Sequence, residues 1–144
     1  MIVKEVMSGH VQWIAPEIPV IEVARLMRDN GIGCVPVGEK DRLIGMITDR
    51  DVICRAVAES DDLKDVTAAD VMSKGMFYCF EDESLDKAAR LMQQKGVHHL
   101  PVLNRQKRMV GLVSLSDLAL NGEPATRAEV IQLAARDAAK HKAA

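Results

Sequence analysis

The sequence predicts an α/β (α+β) fold made of two copies of one β-α-β-β-α unit, followed by a C-terminal helix. Three observations carry this. The chain repeats itself: Val6-Met7-Ser8 returns as Val71-Met72-Ser73, Ala24-Arg25-Leu26-Met27 as Ala89-Arg90-Leu91-Met92, and Pro36-Val37 as Pro101-Val102, all at an offset of 65 residues. Further on, Gly45-Met46-Ile47-Thr48 returns as Gly111-Leu112-Val113-Ser114 and Asp51 as Asp117, now at 66, so one residue has entered the polar stretch 104–108, where a hairpin turn absorbs it. Within each copy the apolar period switches from strand to helix and back, with Gly31 and Gly96 at matching helix ends.

Each element has a local reason. The unit opens on a short β run, Val11–Ile14 or Met76–Phe80, ended by Pro16 or by Glu81-Asp82-Glu83. A helix follows, with Pro19 suited to its first turn in one copy and Ser84 to its N-cap in the other. Val20, Val23, Ala24 and Met27 share one face of it, as do Leu85, Ala88, Ala89 and Met92. Two β runs come next, Cys34–Val37 with Leu43–Ile47 and Leu100–Leu103 with Met109–Val113, joined by charged turns; a second helix begins near Asp49 or Ser116. Repeat one is expected over 1–58, an acidic linker over 59–65, repeat two over 66–120, and a C-terminal helix and tail over 121–144. In that last part Asn121-Gly122-Glu123-Pro124 stops the preceding helix, Thr126 caps a helix over about Arg127–Lys140, and Val130, Leu133, Ala134 and Ala138 form a stripe needing either the module itself or a second subunit.

The 144 residues suffice for a core without staples. A net charge of −2 gives no attraction to nucleic acid or anionic membrane, and one Trp, one Tyr and two Phe leave too few rings for base stacking. Cys34, Cys54 and Cys79 are odd in number and form no Cys-x-x-Cys pair, so they read as small apolar side chains in a reducing cytosol. The N-terminus lacks the pattern of a signal peptide and no apolar run approaches 18 residues; the expected location is cytoplasmic. Eight Met residues, mostly on apolar faces, read as adaptable core.

The most pointed segments are Gly45-Met46-Ile47-Thr48-Asp49-Arg50-Asp51 and Gly111-Leu112-Val113-Ser114-Leu115-Ser116-Asp117. Each puts a hydroxyl at a strand-to-helix junction and a carboxylate one helical turn on. Two readings use this geometry. One is a capping box, in which hydroxyl and carboxylate satisfy backbone amides. The other is a ligand site, with a phosphate at the helix N-terminus and a ribose diol on the carboxylate. Duplication does not separate them, since a cap would be duplicated too. The adjacent His98 and His99 point to opposite faces of a strand and cannot chelate one metal, and no nucleophile stands ready beside them.

The two Val-Met-Ser starts, Gly31-Ile32-Gly33-Cys34-Val35-Pro36-Val37, Gly96-Val97-His98-His99-Leu100-Pro101-Val102 and the two Gly-x-x-(Thr/Ser)-x-x-Asp segments together resemble tandem CBS domains. These are named for cystathionine β-synthase, and a pair forms a Bateman module. The resemblance covers Val3 to about Leu120. It implies repeats packed through their sheets with pseudo-twofold symmetry, and two clefts that take adenosine-containing ligands such as AMP, ADP, ATP or S-adenosylmethionine. Asp51 and Asp117 would hold ribose hydroxyls, and Thr48 and Ser114 would lie near phosphate. Ile32, Gly33 and Cys34, with Val97, His98 and His99, would line adenine or reach the phosphates. Family members often carry a basic residue before Pro-Val; His99 matches, whereas Cys34 departs from it. Arg50, where the other segment has Ser116, favours tighter binding of phosphorylated adenosine at the Asp51 cleft.

The expectation is thus a regulatory module, not an enzyme. It requires no cofactor, takes an adenine nucleotide as regulatory ligand, forms a homodimer and signals to an effector protein, with no nucleic-acid or membrane partner. The alternative is a constitutive dimerisation scaffold with no nucleotide ligand. No Gly-rich phosphate loop, metal constellation or nucleophile–base pair supports catalysis.

Overall fold

The computed structural model describes residues 1–40 and 42–143. It is an α/β fold in two compact units, and these are not the sequence periods. One unit is Gln12–Met76; the other joins Met1–Val11 to Phe77–Ala144.

In the first-repeat unit, α1 (Val20–Asn30) leads into the antiparallel hairpin β1 (Cys34–Glu39) and β2 (Arg42–Thr48), each strand a residue or two longer than its apolar run. A single helical turn, α2 (Asp49–Asp51), continues as a π-helical stretch over Val52–Val57. Then α3 (Ala68–Val71) returns, and Ser73 pairs with Met46 on the open edge of β2. Val20, Val23 and Met27 of α1 meet Val35, Val37 and Ile47 of the hairpin, and α3 closes this core with Ala68 and Val71. Burial of such side chains stabilises by about 1.5–3 kcal/mol each.

The second-repeat unit has β3 (Cys79–Phe80), α4 (Leu85–Lys95), β4 (His99–Leu103), β5 (Met109–Ser114), α5 (Leu115–Asn121) and α6 (Pro124–Ala143). Its sheet runs β3-β4-β5, with the first pair parallel and the second antiparallel. The first residues of the chain complete it: Val3, in a 3-10 turn over Val3–Glu5, is fully buried with Leu85, Met92, Leu100, Val113 and Leu118, and Ser8 pairs with Leu112. Each Val-Met-Ser segment therefore serves the hairpin of the opposite sequence period.

Several expectations hold in detail. Ser84 caps α4 by accepting a 3.2 Å bond from the Lys87 amide, and Gly31 and Gly96 end their helices at φ 62° and 67°, a conformation that glycine adopts without a Cβ penalty. Others are corrected. Pro19 stands at the N-cap of α1, one position before the helix. Val11–Ile14 forms no strand; only Ile14 bridges to Val37, because Trp13 lies over Gly38 and Pro16 turns the chain away. Met76–Phe80 shrinks to the two residues of β3. Helix α5 begins at Leu115, one residue before Ser116.

The last helix differs most. It begins at Pro124, whose missing N–H suits a first helical position, so this proline starts a helix where the sequence reading used it as a stop. Thr126 is consequently inside the first turn and buried, not a cap. The seated face is Thr126, Val130, Leu133 and the half-buried Asp137, packed on α4 and α5; Ala134 and Ala138 face outward. The stripe finds its partner within its own unit.

Candidate functional site

Both strand-to-helix junctions are built alike. In the first-repeat unit the Asp49 amide donates to the Gly33 carbonyl at 2.9 Å, which brings α2 beside the start of β1, and Cys34 is the cross-strand partner of Thr48. The Asp51 amide donates to Thr48 Oγ1 at 3.1 Å, and the Thr48 amide donates to Asp51 Oδ2 at 2.9 Å. Asp51 Oδ1 lies 3.8 Å from Arg55 Nε. In the second-repeat unit the Leu115 amide donates to the His98 carbonyl at 2.8 Å, and His99 is the partner of Ser114. Ser114 accepts from the Asp117 amide at 3.2 Å, while its own amide and hydroxyl donate to Asp117 Oδ2 at 2.8 and 2.9 Å.

The capping boxes are therefore real, and a third shows what capping alone looks like. Thr67 and Asp70 close the same box on α3, with the Thr67 amide and hydroxyl donating to Asp70 Oδ2 at 2.8 and 3.1 Å. The Thr67-Ala68-Ala69-Asp70 spacing advertised it, although the sequence reading did not use it. The boxes at Thr48 and Ser114 differ in their surroundings. Each adjoins the start of the preceding β-hairpin, through the Asp49 amide on Gly33 and the Leu115 amide on His98, whereas the Ala68 amide after Thr67 donates to the Ile18 carbonyl. Capping and ligand binding are compatible in one carboxylate.

The other predicted residues divide. Around the first box, Gly33 is half-buried and a Cβ added there would lie 3.0 Å from Asp49 Oδ2, so the backbone approaches the helix start closely. Ile32 and Arg50 are exposed. Cys34 is buried, and burial pushes its thiol up to about 12, with the carboxylates of Asp51 and Asp49 acting in the same direction. It is a neutral, inert side chain beside the box; Cys79, on β3 of the other unit, is neutral too, with burial and then Glu83 raising its thiol to about 12. Around the second box, Val97 packs against its own core, Ser116 is exposed, and His99 is half-buried. His98 turns outward: its Nε2 meets Asp137 Oδ2 of α6 at 2.6 Å. No local pattern announces that contact, since the partners are 39 residues apart. Among the described residues no three His, Cys, Asp or Glu side chains gather as metal ligands, and no helix is long and apolar enough to cross a membrane.

Comparison with known proteins places this geometry. The family model described as CBS domain matches residues 3–66 and again 68–121. The chain is 36% identical over 119 residues to a CBS domain-containing protein, YhcV, of Bacillus subtilis, covering 83% of this chain and 84% of that protein. It is also 36% identical over 123 residues to an uncharacterized protein of Methanopyrus kandleri, covering 85% of this chain but 62% of the longer relative. Among solved structures, the CBS domain pair of protein MJ0100, in complex with 5′-methylthioadenosine and S-adenosyl-L-methionine, superposes with a TM-score of 0.75 at 26% identity, over 83% of this chain and 94% of that one. The chain belongs to the CBS domain family, carrying two CBS domains in tandem and, after them, the helix α6.

Proposed function

We propose that this chain is a cytoplasmic regulatory module, without catalytic activity, that binds an adenosine-containing ligand through its two Thr/Ser–Asp boxes and passes its occupancy to an effector protein as a homodimer. The observation that carries the reading is the position of Asp51 and Asp117, each fixing a helix start at a strand-to-helix junction beside the first strand of its hairpin. A carboxylate placed there can also accept from a ribose diol. The adenosine compounds held by the MJ0100 pair support the same ligand class. Ile32, Gly33 and Cys34, with Val97, His98 and His99, border the base and phosphates in this reading.

The Asp51 site is the tighter for a phosphorylated ligand, because Arg50 and Arg55 flank it while the other box has Ser116 and Asn121 at those positions. Charge-assisted hydrogen bonds contribute about 1.5–3 kcal/mol each. Calorimetric titration with AMP, ATP and S-adenosylmethionine tests this, with sedimentation of the same sample expected to show two chains. Asp51→Ala is expected to weaken AMP more than tenfold, and Asp117→Ala only mildly. The reverse order overturns the assignment of the tighter site. A chain that binds none of the three ligands is a scaffold, and its boxes are caps like that of Thr67.

A further inference from the structure

Helix α6 lies beyond both CBS matches, yet it is tied to the start of β4 by a chain of bonds the first repeat lacks. Asp137 Oδ2 meets His98 Nε2 at 2.6 Å; the His98 carbonyl accepts from the Leu115 amide at 2.8 Å; and the Leu115 amide directly follows Ser114, whose own amide donates to Asp117 Oδ2 at 2.8 Å. The adjacent Arg136 donates to the Gln93 carbonyl in the last turn of α4, and the Gln93 side chain donates to Gln132, about a turn earlier on α6, at 3.4 Å. The segment Gln93–His98 is thus held by α6 on one side and by the second box on the other. In the first repeat the position of His98 is Gly33, whose carbonyl makes the same bond to Asp49 but which has no side chain to offer.

The pair is not a stability device. His98 keeps 51% of its side-chain surface and Asp137 28%, and polar pairs this open to solvent add little to stability. Leu133, fully buried against α4, α5 and the sheet, seats the helix without it. A weak contact linking a firmly seated helix to a ligand-bordering segment is suited to responding when that segment moves.

We propose that Asp137 is a positioning residue for His98, and that α6 is the element through which ligand held at Val97–His99 is reported to the rest of the protein. This rests on the adenosine-binding reading above and adds its output. Ligand that orders Val97–His99 holds His98 against Asp137, and the last turns of α6 open less often.

Backbone hydrogen exchange across 128–140, with and without saturating AMP or S-adenosylmethionine, is the test. In the unaltered chain, ligand is expected to slow exchange severalfold in 134–140. Asp137→Ala and His98→Ala should each abolish that ligand-dependent slowing while leaving α6 seated, as judged by unchanged protection around Leu133; Asp137→Glu should restore it. Ligand binding with α6 exchange unmoved overturns the inference alone, as does slowing that survives in Asp137→Ala. A chain that binds neither probe in the parallel titration overturns the adenosine reading, and this inference falls with it.

Discussion

Residues 1–60 produced alone are expected not to fold cooperatively, whereas residues 12–76 retain helix and hairpin signals and a measurable unfolding transition. The first fragment contains the whole first sequence period up to the linker, but it lacks the residues that finish its core. Val66, Ala68, Val71 and Met72 pack on α1 and the hairpin, and Ser73 exchanges 2.8 and 3.1 Å backbone bonds with Met46. The fragment also carries Val3 and Met7, whose burial is provided by residues after Phe77. Losing Val71 and Ala68 leaves an open core and an unpaired strand edge, and each unmade aliphatic contact costs about 1–3 kcal/mol against a domain stability of about 5–15. Chemical denaturation followed by circular dichroism discriminates the fragments. A sharp, monomeric transition for 1–60 would show that the returning segment is dispensable.

Gly111→Ala is expected to lower unfolding free energy by about 1–3 kcal/mol, and Gly111→Val by more. A Cβ at Gly111 would sit 2.6 Å from Met7 Sδ and 2.8 Å from the Ser8 carbonyl oxygen. The methionine can swing away. The carbonyl cannot, because Ser8 and Leu112 exchange backbone bonds of 2.9 and 3.0 Å at that point. Met7→Ala in the same chain should therefore recover only part of the loss, a coupling read from a double-mutant cycle. Gly9→Ala, where an added Cβ meets nothing within 4 Å, is the control and should change stability little. A Gly111→Ala protein as stable as the parent would mean that the N-terminal segment is not held at this edge.

That glycine marks where sequence reasoning stops. The Gly-x-x-(Thr/Ser)-x-x-Asp pattern was legible, and its hydroxyl and acid occupy the predicted junctions. Its glycine read as one more part of a ligand motif, but its job is to admit a methionine from the opposite period. Local signals explain the successes: helix faces, the Ser84 cap and the glycine C-caps are set by residues within a few positions of each other. The exchange of the Val-Met-Ser segments, the two-residue β3 and the His98–Asp137 contact depend on partners tens of residues away. The stripe on α6 failed by phase. Val130 and Leu133 are where the sequence put them, but packing selects Thr126 and Asp137 as their companions over the outward Ala134 and Ala138.

The joining of Met1–Val11 to Phe77–Ala144 also fixes how the molecule carries mechanical load. Topologically, Gln12–Met76 is an insertion into the other unit. A stretching force applied between Met1 and Lys140 enters and leaves through that one unit, and it is resisted first by the Val3-to-Glu83 bond and the Ser8–Leu112 pair. Until those part, the inserted unit lies outside the line of tension and its Asp51 box feels no pull. Anchoring the chain by residues near 1 and 140 thus strains the part that contains His98 and α6 while sparing the other, a mechanical asymmetry that the repeated sequence pattern conceals.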